Sequence, residues 1–244
     1  MLSQKEEHQL KQYCDKDPRL SLLLEHLEDS HRMDLSRISH EIRNPVTIIN
    51  SFLQLTQNNY PEVTTFGTWK PILENMEYLK QLLSEVSQYN NAAQLHKERI
   101  SLTSFLQTLM SDCQITFPSI HFTFQKDSAI PSAFFDKVKL QAAILNIIRN
   151  ASEAMEEQSI KKIHISLSFD GEYFYIKITN NGPCIPPEHI PHLFEPFVTH
   201  KKDGSGLGLA IVQSIVHAHN GYIMVFSNSN ETSFTLCLPF TYKI

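Results

Sequence analysis

This chain is short of glycine, cysteine, basic charge and long apolar runs, and each shortage closes a class of protein. Seven glycines in 244 residues exclude a collagen-like or glycine-rich low-complexity chain. The four cysteines, at positions 14, 113, 184 and 237, never fall at C-x-x-C spacing. Neither a zinc ribbon nor a disulfide framework is expected, and the plain reading is a reduced, cytoplasmic protein. No stretch approaches the roughly 20 apolar residues of a membrane span. The N-terminus, MLSQKEEHQLKQYCDKD, lacks the apolar core of a signal peptide. Twenty-one Lys and Arg against 26 Asp and Glu leave a net charge of −5, which offers nucleic acid no basic footprint. With 41% hydrophobic residues, the chain can bury a sizeable core in one large domain or two small ones.

The pattern changes once, near residue 100. Before it, Leu35, Ile38, Ile42, Pro45, Ile49 and Phe52 step alternately by three and four. After the linker NNYPEV a second seam follows: Ile72, Met76, Leu79, Leu83, Val86, Asn90 and Ala93. A 3.5-residue period marks helices that wind around partners. Two such helices joined by a loop make an antiparallel hairpin, and two hairpins pairing as a dimeric four-helix bundle complete it. Pro45 removes one backbone donor and is expected to kink the first helix. Leu20, Leu22, Leu23, Leu24 and Leu27, after Pro18, predict a separate shorter helix ahead of the hairpin. Beyond residue 100, strands are expected at 120–124, 162–169, 173–179, 222–226 and 232–238, and helices at 136–157 and 206–219. Asp170-Gly171 signals a tight hairpin. The expected organisation is an N-terminal helical segment (1–30), a helical hairpin (31–99), and an α/β sandwich (100–244) whose mixed sheet is largely antiparallel with helices on one face.

The residues suited to chemistry begin at His40. It lies two residues past Ile38 and so at an outward-facing position, where an arbitrary histidine is simply a surface residue. Its neighbours point further. Glu41 adjoins it and Asn44 is one turn away on the same side. A neutral imidazole nitrogen is a nucleophile, a carboxylate beside it can take a proton and orient the ring, and an amide can hold a phosphate oxygen or a water. That trio suits phosphoryl transfer to nitrogen.

Ser39-His40-Glu41-Ile42-Arg43-Asn44-Pro45 closely resembles the phosphoacceptor box of two-component sensor histidine kinases. Asn146 to Ala154 (NIIRNASEA) resembles the asparagine box of that family. Phe194-Glu195-Pro196-Phe197, with Thr199 and Lys201, resembles its phenylalanine box, and Gly204-Ser205-Gly206-Leu207-Gly208-Leu209 its second glycine box. The four motifs stand in family order. The resemblance implies a Bergerat-type ATP-binding domain with Mg²⁺, and no P-loop signature is present. Asn146 and Asn150, four apart, present both amides from one helix face; they are ordinary polar surface or, as the resemblance implies, Mg²⁺ ligands, Asn150 first. Gly204, Gly206, Leu207 and Gly208 are expected to open a helix whose free N–H groups attract phosphate. Lys201 and Lys202 add cationic reach, and residues 189–202 would cover the nucleotide.

One box departs from the family. Where it usually reads Asp-x-Gly-x-Gly, this chain has Asn180-Asn181-Gly182-Pro183-Cys184. The resemblance gives Asn180 and Gly182 to the adenine pocket, but the aspartate that accepts from the adenine amino group has become an amide. Losing that charge costs about 1–2 kcal/mol, or roughly 5- to 30-fold in ATP affinity. Cys184 would crowd the base or alter the turn. His217 and His219, two apart on a helix, face different sides. The implied function is a homodimeric, cytoplasmic histidine kinase that autophosphorylates His40 from Mg²⁺·ATP and passes the phosphoryl group to the receiver domain of a separate response regulator. The alternative is a phosphotransfer protein whose ATP domain no longer binds nucleotide.

Overall fold

A computed structural model describes the backbone of residues 18–127, 129–199, 201 and 204–240, and side chains from residue 37 onward within these ranges. The chain divides into two compact units between Asn90 and Asn91. The expected boundary at 99/100 therefore moves nine residues earlier. Residues 98–100 form a strand that pairs within the second unit, and pairing, not composition, sets the divide.

The first unit is a pair of helices, α1 (Pro18–Asn59) and α2 (Trp69–Asn90), linked through a 3₁₀ turn at Pro61–Thr65. Helix α1 begins at Pro18 but runs unbroken for 42 residues. The expected separate helix and its boundary near residue 30 are thus replaced by one continuous helix, since no glycine or proline interrupts it before Pro45. Residues 1–17, and the side chains of Leu35 and the Leu20–Leu27 cluster, lie outside the described residues. The helices run antiparallel. At one end Arg43 donates to Ser87 Oγ at 2.5 Å, and at the other Trp69 Nε1 donates to Gln57 Oε1 at 3.4 Å.

The hairpin core is Val46, Met76 and Leu83, flanked by Leu53 and Leu79. The second sequence seam supplies its half of this core. On α1 the packing row is Val46 and Leu53, whereas Ile38, Ile42, Ile49 and Phe52 of the first seam stay exposed, Phe52 to 63%. A single hairpin can cover only one stripe of α1, so a second apolar stripe faces outward.

The second unit opens with β1 (Glu98–Ile100), helix α3 (Leu102–Thr116), β2 (Ile120–Lys126) and β3 (Ala133–Phe135). Helix α4 (Lys137–Ala154) leads to β4 (Lys161–Phe169) and β5 (Tyr173–Asn180). Helix α5 (Gly208–Ala218), β6 (Tyr222–Ser227) and β7 (Thr232–Pro239) close the unit. The main sheet has the order β2-β4-β5-β7-β6. Only β2 and β4 are parallel; the other three pairings are antiparallel. Strands β1 and β3 form a separate antiparallel pair. Sequence periodicity missed α3 and this short pair, because three-residue strands carry no period and α3 is apolar without a long amphipathic repeat.

Local chemistry explains the boundaries. Ser101 caps α3 by accepting from the Ser104 N–H, and Asp136 caps α4 by accepting from the Lys139 N–H at 2.9 Å. Each such cap contributes about 1 kcal/mol. Between β4 and β5, Gly171 takes φ +103° while Asp170 accepts from the N–H groups of Glu172 and Tyr173 and from the Tyr175 hydroxyl. Those bonds, led by the Tyr175 hydroxyl, hold the Asp170 carboxyl below its ordinary range. Alternate residues Ile163, Ile165 and Leu167 of β4 and Phe174, Ile176 and Ile178 of β5 are buried. Helix α4 rests on these strands with Leu140, Ile144, Ile147 and Ile148, and α5 packs beside it over β6 and β7. Each fully buried side chain of this size contributes about 1.5–3 kcal/mol, so this layer fixes how α4 and α5 are placed.

Candidate functional site

In the first unit His40, Glu41 and Asn44 are all exposed on α1. The imidazole contact is to Arg43, whose Nη1 lies 3.4 Å from His40 Nδ1; Glu41 makes no hydrogen bond to the ring. Arg43 also donates to Ser87 Oγ and to the Leu83 carbonyl at 3.4 Å, so the side chain beside the imidazole is tied to α2. A guanidinium only donates, so Nδ1 accepts and the neutral ring carries its proton on Nε2. Pro45 provides no N–H for the Glu41 carbonyl, one residue after His40. Sequence reading missed Arg43, although its i+3 spacing from His40 is a helical-neighbour signal.

In the second unit Asn146 and Asn150 project from α4 toward the start of α5. A Cβ placed on Gly208 would lie 3.7 Å from Asn150 Nδ2 and 3.9 Å from Asn146 Oδ1, so the glycine turn sits directly against both amides. Asn146 is buried, and its Nδ2 has no hydrogen-bond partner among the described residues. A buried unspent donor is costly and calls for an acceptor. Lys201 Nζ donates to Asn150 Oδ1 at 2.9 Å and also pairs with Glu153. Asn146, Asn150, Lys201 and Gly208 are therefore brought together.

The glycine turn differs in detail from expectation. The helix starts at Gly208, with Leu207 as its cap, so Gly204 and Gly206 lie in the turn ahead of it. Gly206 has φ +72°, and a Cβ there would lie 2.6–2.8 Å from backbone atoms of Phe197 and Val198. At Gly204 a Cβ would meet Thr199 Oγ1 at 2.5 Å. Leu207 is fully buried, and its N–H donates to Ser205 Oγ at 3.1 Å, so its side chain anchors the turn in the core. Lys202 lies outside the described residues, as do His200 and Asp203.

Asn180 ends β5 and is buried. In the orientation that satisfies both ends of its amide, Nδ2 donates to the Thr232 carbonyl at 3.2 Å and Oδ1 accepts from the Gly182 N–H at 2.9 Å. The oxygen keeps one lone pair for a further donor. A Cβ on Gly182 would lie 3.3 Å from Met155 Cγ, which places this turn against the end of α4. Cys184 is exposed, and its Sγ accepts from the Ser227 hydroxyl at 3.7 Å.

This donor set fits a magnesium-nucleotide. Neutral amide oxygens, glycine N–H groups at a helix start and a nearby ammonium suit an ion that takes few protein ligands and shares phosphates. Residues 135–242 match the histidine kinase-, DNA gyrase B- and HSP90-like ATPases. Over 219 residues the chain is 27% identical to the sensory histidine kinase/phosphatase NtrB of Rhizobium meliloti (strain 1021), covering 84% of this chain and 57% of that relative. The second unit carries that ATPase domain, and the chain is similar to sensor histidine kinases over most of its length. It spans a little over half the length of that curated relative. Among solved structures, full-length ShkA in complex with AMPPNP shares its fold at a TM-score of 0.73, with 22% identity over 86% of this chain and 46% of that one. Histidine kinase ThkA in complex with response regulator protein TrrA matches 95% of this chain and 66% of its own, at 26% identity and a TM-score of 0.61. Among the described residues no helix is long and apolar enough to cross a membrane.

Proposed function

We propose that this chain is a homodimeric, cytoplasmic protein-histidine kinase. Its second unit binds Mg²⁺·ATP, His40 accepts the γ-phosphoryl group, and an aspartate in the receiver domain of a separate response regulator receives it. The observation that carries this reading is the meeting of Asn146, Asn150, Lys201 and Gly208 at one place. The same meeting argues against the relay reading with a disused ATP domain. The ThkA complex with TrrA supports a response regulator as partner.

Asn150, with Asn146 beside it, would hold Mg²⁺, which supplies charge neutralisation on the β- and γ-phosphates. The N–H groups from Gly204 to Gly208 and the start of α5 would cradle phosphate oxygens, and Lys201 would meet the γ-phosphate. Asn180 and Gly182 would receive adenine, through the remaining lone pair of Oδ1. Attack on phosphorus needs the lone pair of Nε2, so the ring proton must sit on Nδ1. Glu41 takes Arg43's place there and accepts that proton as the Nε2–P bond forms. The bond from phosphorus to the β,γ-bridging oxygen breaks, and ADP leaves with its electron pair. Asn44, one turn on, would position the phosphoryl group or a water. The exposed stripe of Ile38, Ile42, Ile49 and Phe52 supports pairing of two hairpins into a four-helix bundle.

Incubation with γ-labelled ATP and Mg²⁺ tests the reading. Acid-labile, alkali-stable label is expected on wild type and absent from His40→Gln. No label, with no nucleotide binding at millimolar concentration, would overturn it.

A further inference from the structure

Mg²⁺ in nucleotide sites is usually held through one or two carboxylates together with substrate phosphates, whereas the amide oxygens of Asn146 and Asn150 suit the cation but bring it no charge. A carboxylate stands beside them. Asn146, Asn150 and Glu153 follow one another by four and three residues, and residues at that spacing share one face of α4. Two of their oxygens already converge on a single positive atom: Lys201 Nζ is bonded both to Asn150 Oδ1 and to the Glu153 carboxylate. A surface ion pair needs only one partner of each sign and contributes little. Here the ammonium bridges a carboxylate and a neutral amide oxygen, which is the arrangement a cation position offers. The Glu153 side chain is 56% exposed, so it has room to adjust.

We infer that Glu153 is a ligand of the nucleotide-associated divalent cation, sharing with Asn150 a position that the Lys201 ammonium fills until that cation binds. The inference rests on the nucleotide reading above and gives the site the negative charge that reading lacks. It also gives Lys201 two successive duties. It neutralises Glu153 and donates to Asn150 Oδ1 in the free protein, and it is released toward the phosphates when the cation displaces it. No covalent bond changes in this exchange.

Calorimetric titration with ADP, in Mn²⁺ and again in chelator, tests this without catalysis. Mn²⁺ is expected to tighten ADP binding to wild type by about tenfold or more, and Glu153→Gln to reduce that gain to about twofold or less while leaving metal-free ADP affinity nearly unchanged. Lys201→Met keeps both oxygens and is expected to bind Mn²⁺ alone more tightly than wild type, read by the loss of the free-Mn²⁺ electron paramagnetic resonance signal. Glu153→Gln retaining the full Mn²⁺ gain while Asn150→Ala loses it would remove Glu153 from the site. Unchanged Mn²⁺ affinity in Lys201→Met would refute the shared position. Absence of any ADP binding by wild type would instead overturn the nucleotide reading itself.

Discussion

Phe197 and Gly206 are joined back to back: the Phe197 N–H donates to the Gly206 carbonyl at 3.1 Å, and both residues have positive φ, 66° and 72°. Gly206 has no space for a side chain, because a Cβ would press on the Phe197 and Val198 backbone at 2.6–2.8 Å. The bond ties the phenylalanine segment to the turn that starts α5. Gly206→Ala is expected to cost about 2 kcal/mol or more, from left-handed strain and the clash together. Thermal denaturation should show a lowered midpoint, and ADP binding should weaken because the turn's N–H groups shift. A variant with wild-type midpoint and affinity would contradict this.

His219 closes α5 and is buried; its Nε2 accepts the Asp136 N–H at 3.0 Å while Nδ1 bonds the Ile215 carbonyl at 2.8 Å. The ring is therefore neutral with its proton on Nδ1. Burial pushes its pKa below the ordinary 6.5, assisted by Lys97 and opposed by the Ile215 bond and Asp136. A histidine with a depressed folded value binds protons more readily when unfolded. Its contribution to stability is complete above about pH 6.5 and is lost as the pH falls from there through the folded value. The chemical-denaturation midpoint should fall between pH 7 and 5.5. His219→Gln should lower the midpoint at pH 7 and flatten that slope; an unchanged slope would assign the pH dependence elsewhere.

Asn180 invites restoration of the family's aspartate, but the fold opposes it. Asn180→Asp would delete the Nδ2–H bond to Thr232 and set a carboxylate oxygen against that carbonyl, 3.2 Å away. The expected cost is about 1–3 kcal/mol of stability at neutral pH. Urea denaturation at pH 7.5 checks it, and a midpoint equal to wild type would show the bond to be dispensable.

Phe52 and Val46 share α1 but should answer different assays. Val46 is in the hairpin core, so Val46→Ala should lower the unfolding free energy by about 1–3 kcal/mol. Phe52, 63% exposed, should matter for pairing between chains. Phe52→Glu is expected to weaken dimerisation by about ten- to a hundredfold, with helical content unchanged. Sedimentation equilibrium decides, and an undisturbed dimer would place the interface elsewhere.

Much of the second unit was legible in the sequence because periodicity reports burial. Alternate Ile163, Ile165 and Leu167 mark β4, and Asp170-Gly171 marks the turn after it. On α1 the period was legible but its partner was not. Ile42 and Val46 are four apart and equally apolar, yet only Val46 of the two is buried in the hairpin core, because a helix with two apolar stripes does not state which neighbour takes which. The three-residue strands β1 and β3 were invisible, since each gains stability only from pairing with the other.

The candidate site divides the same way. The sequence by itself determined the residue types, their helical spacing and their order: His40 with Glu41 and Asn44, Asn146 with Asn150, and the glycines from 204 to 208. Those are local properties of the chain. Only the tertiary structure decided that Gly208 lies against the two asparagines, that Lys201 joins Asn150 to Glu153, that Arg43 and not Glu41 contacts the His40 ring, and that both ends of the Asn180 amide are engaged. These depend on side chains remote in sequence, or on rotamers chosen by packing, and local pattern carries no information about either.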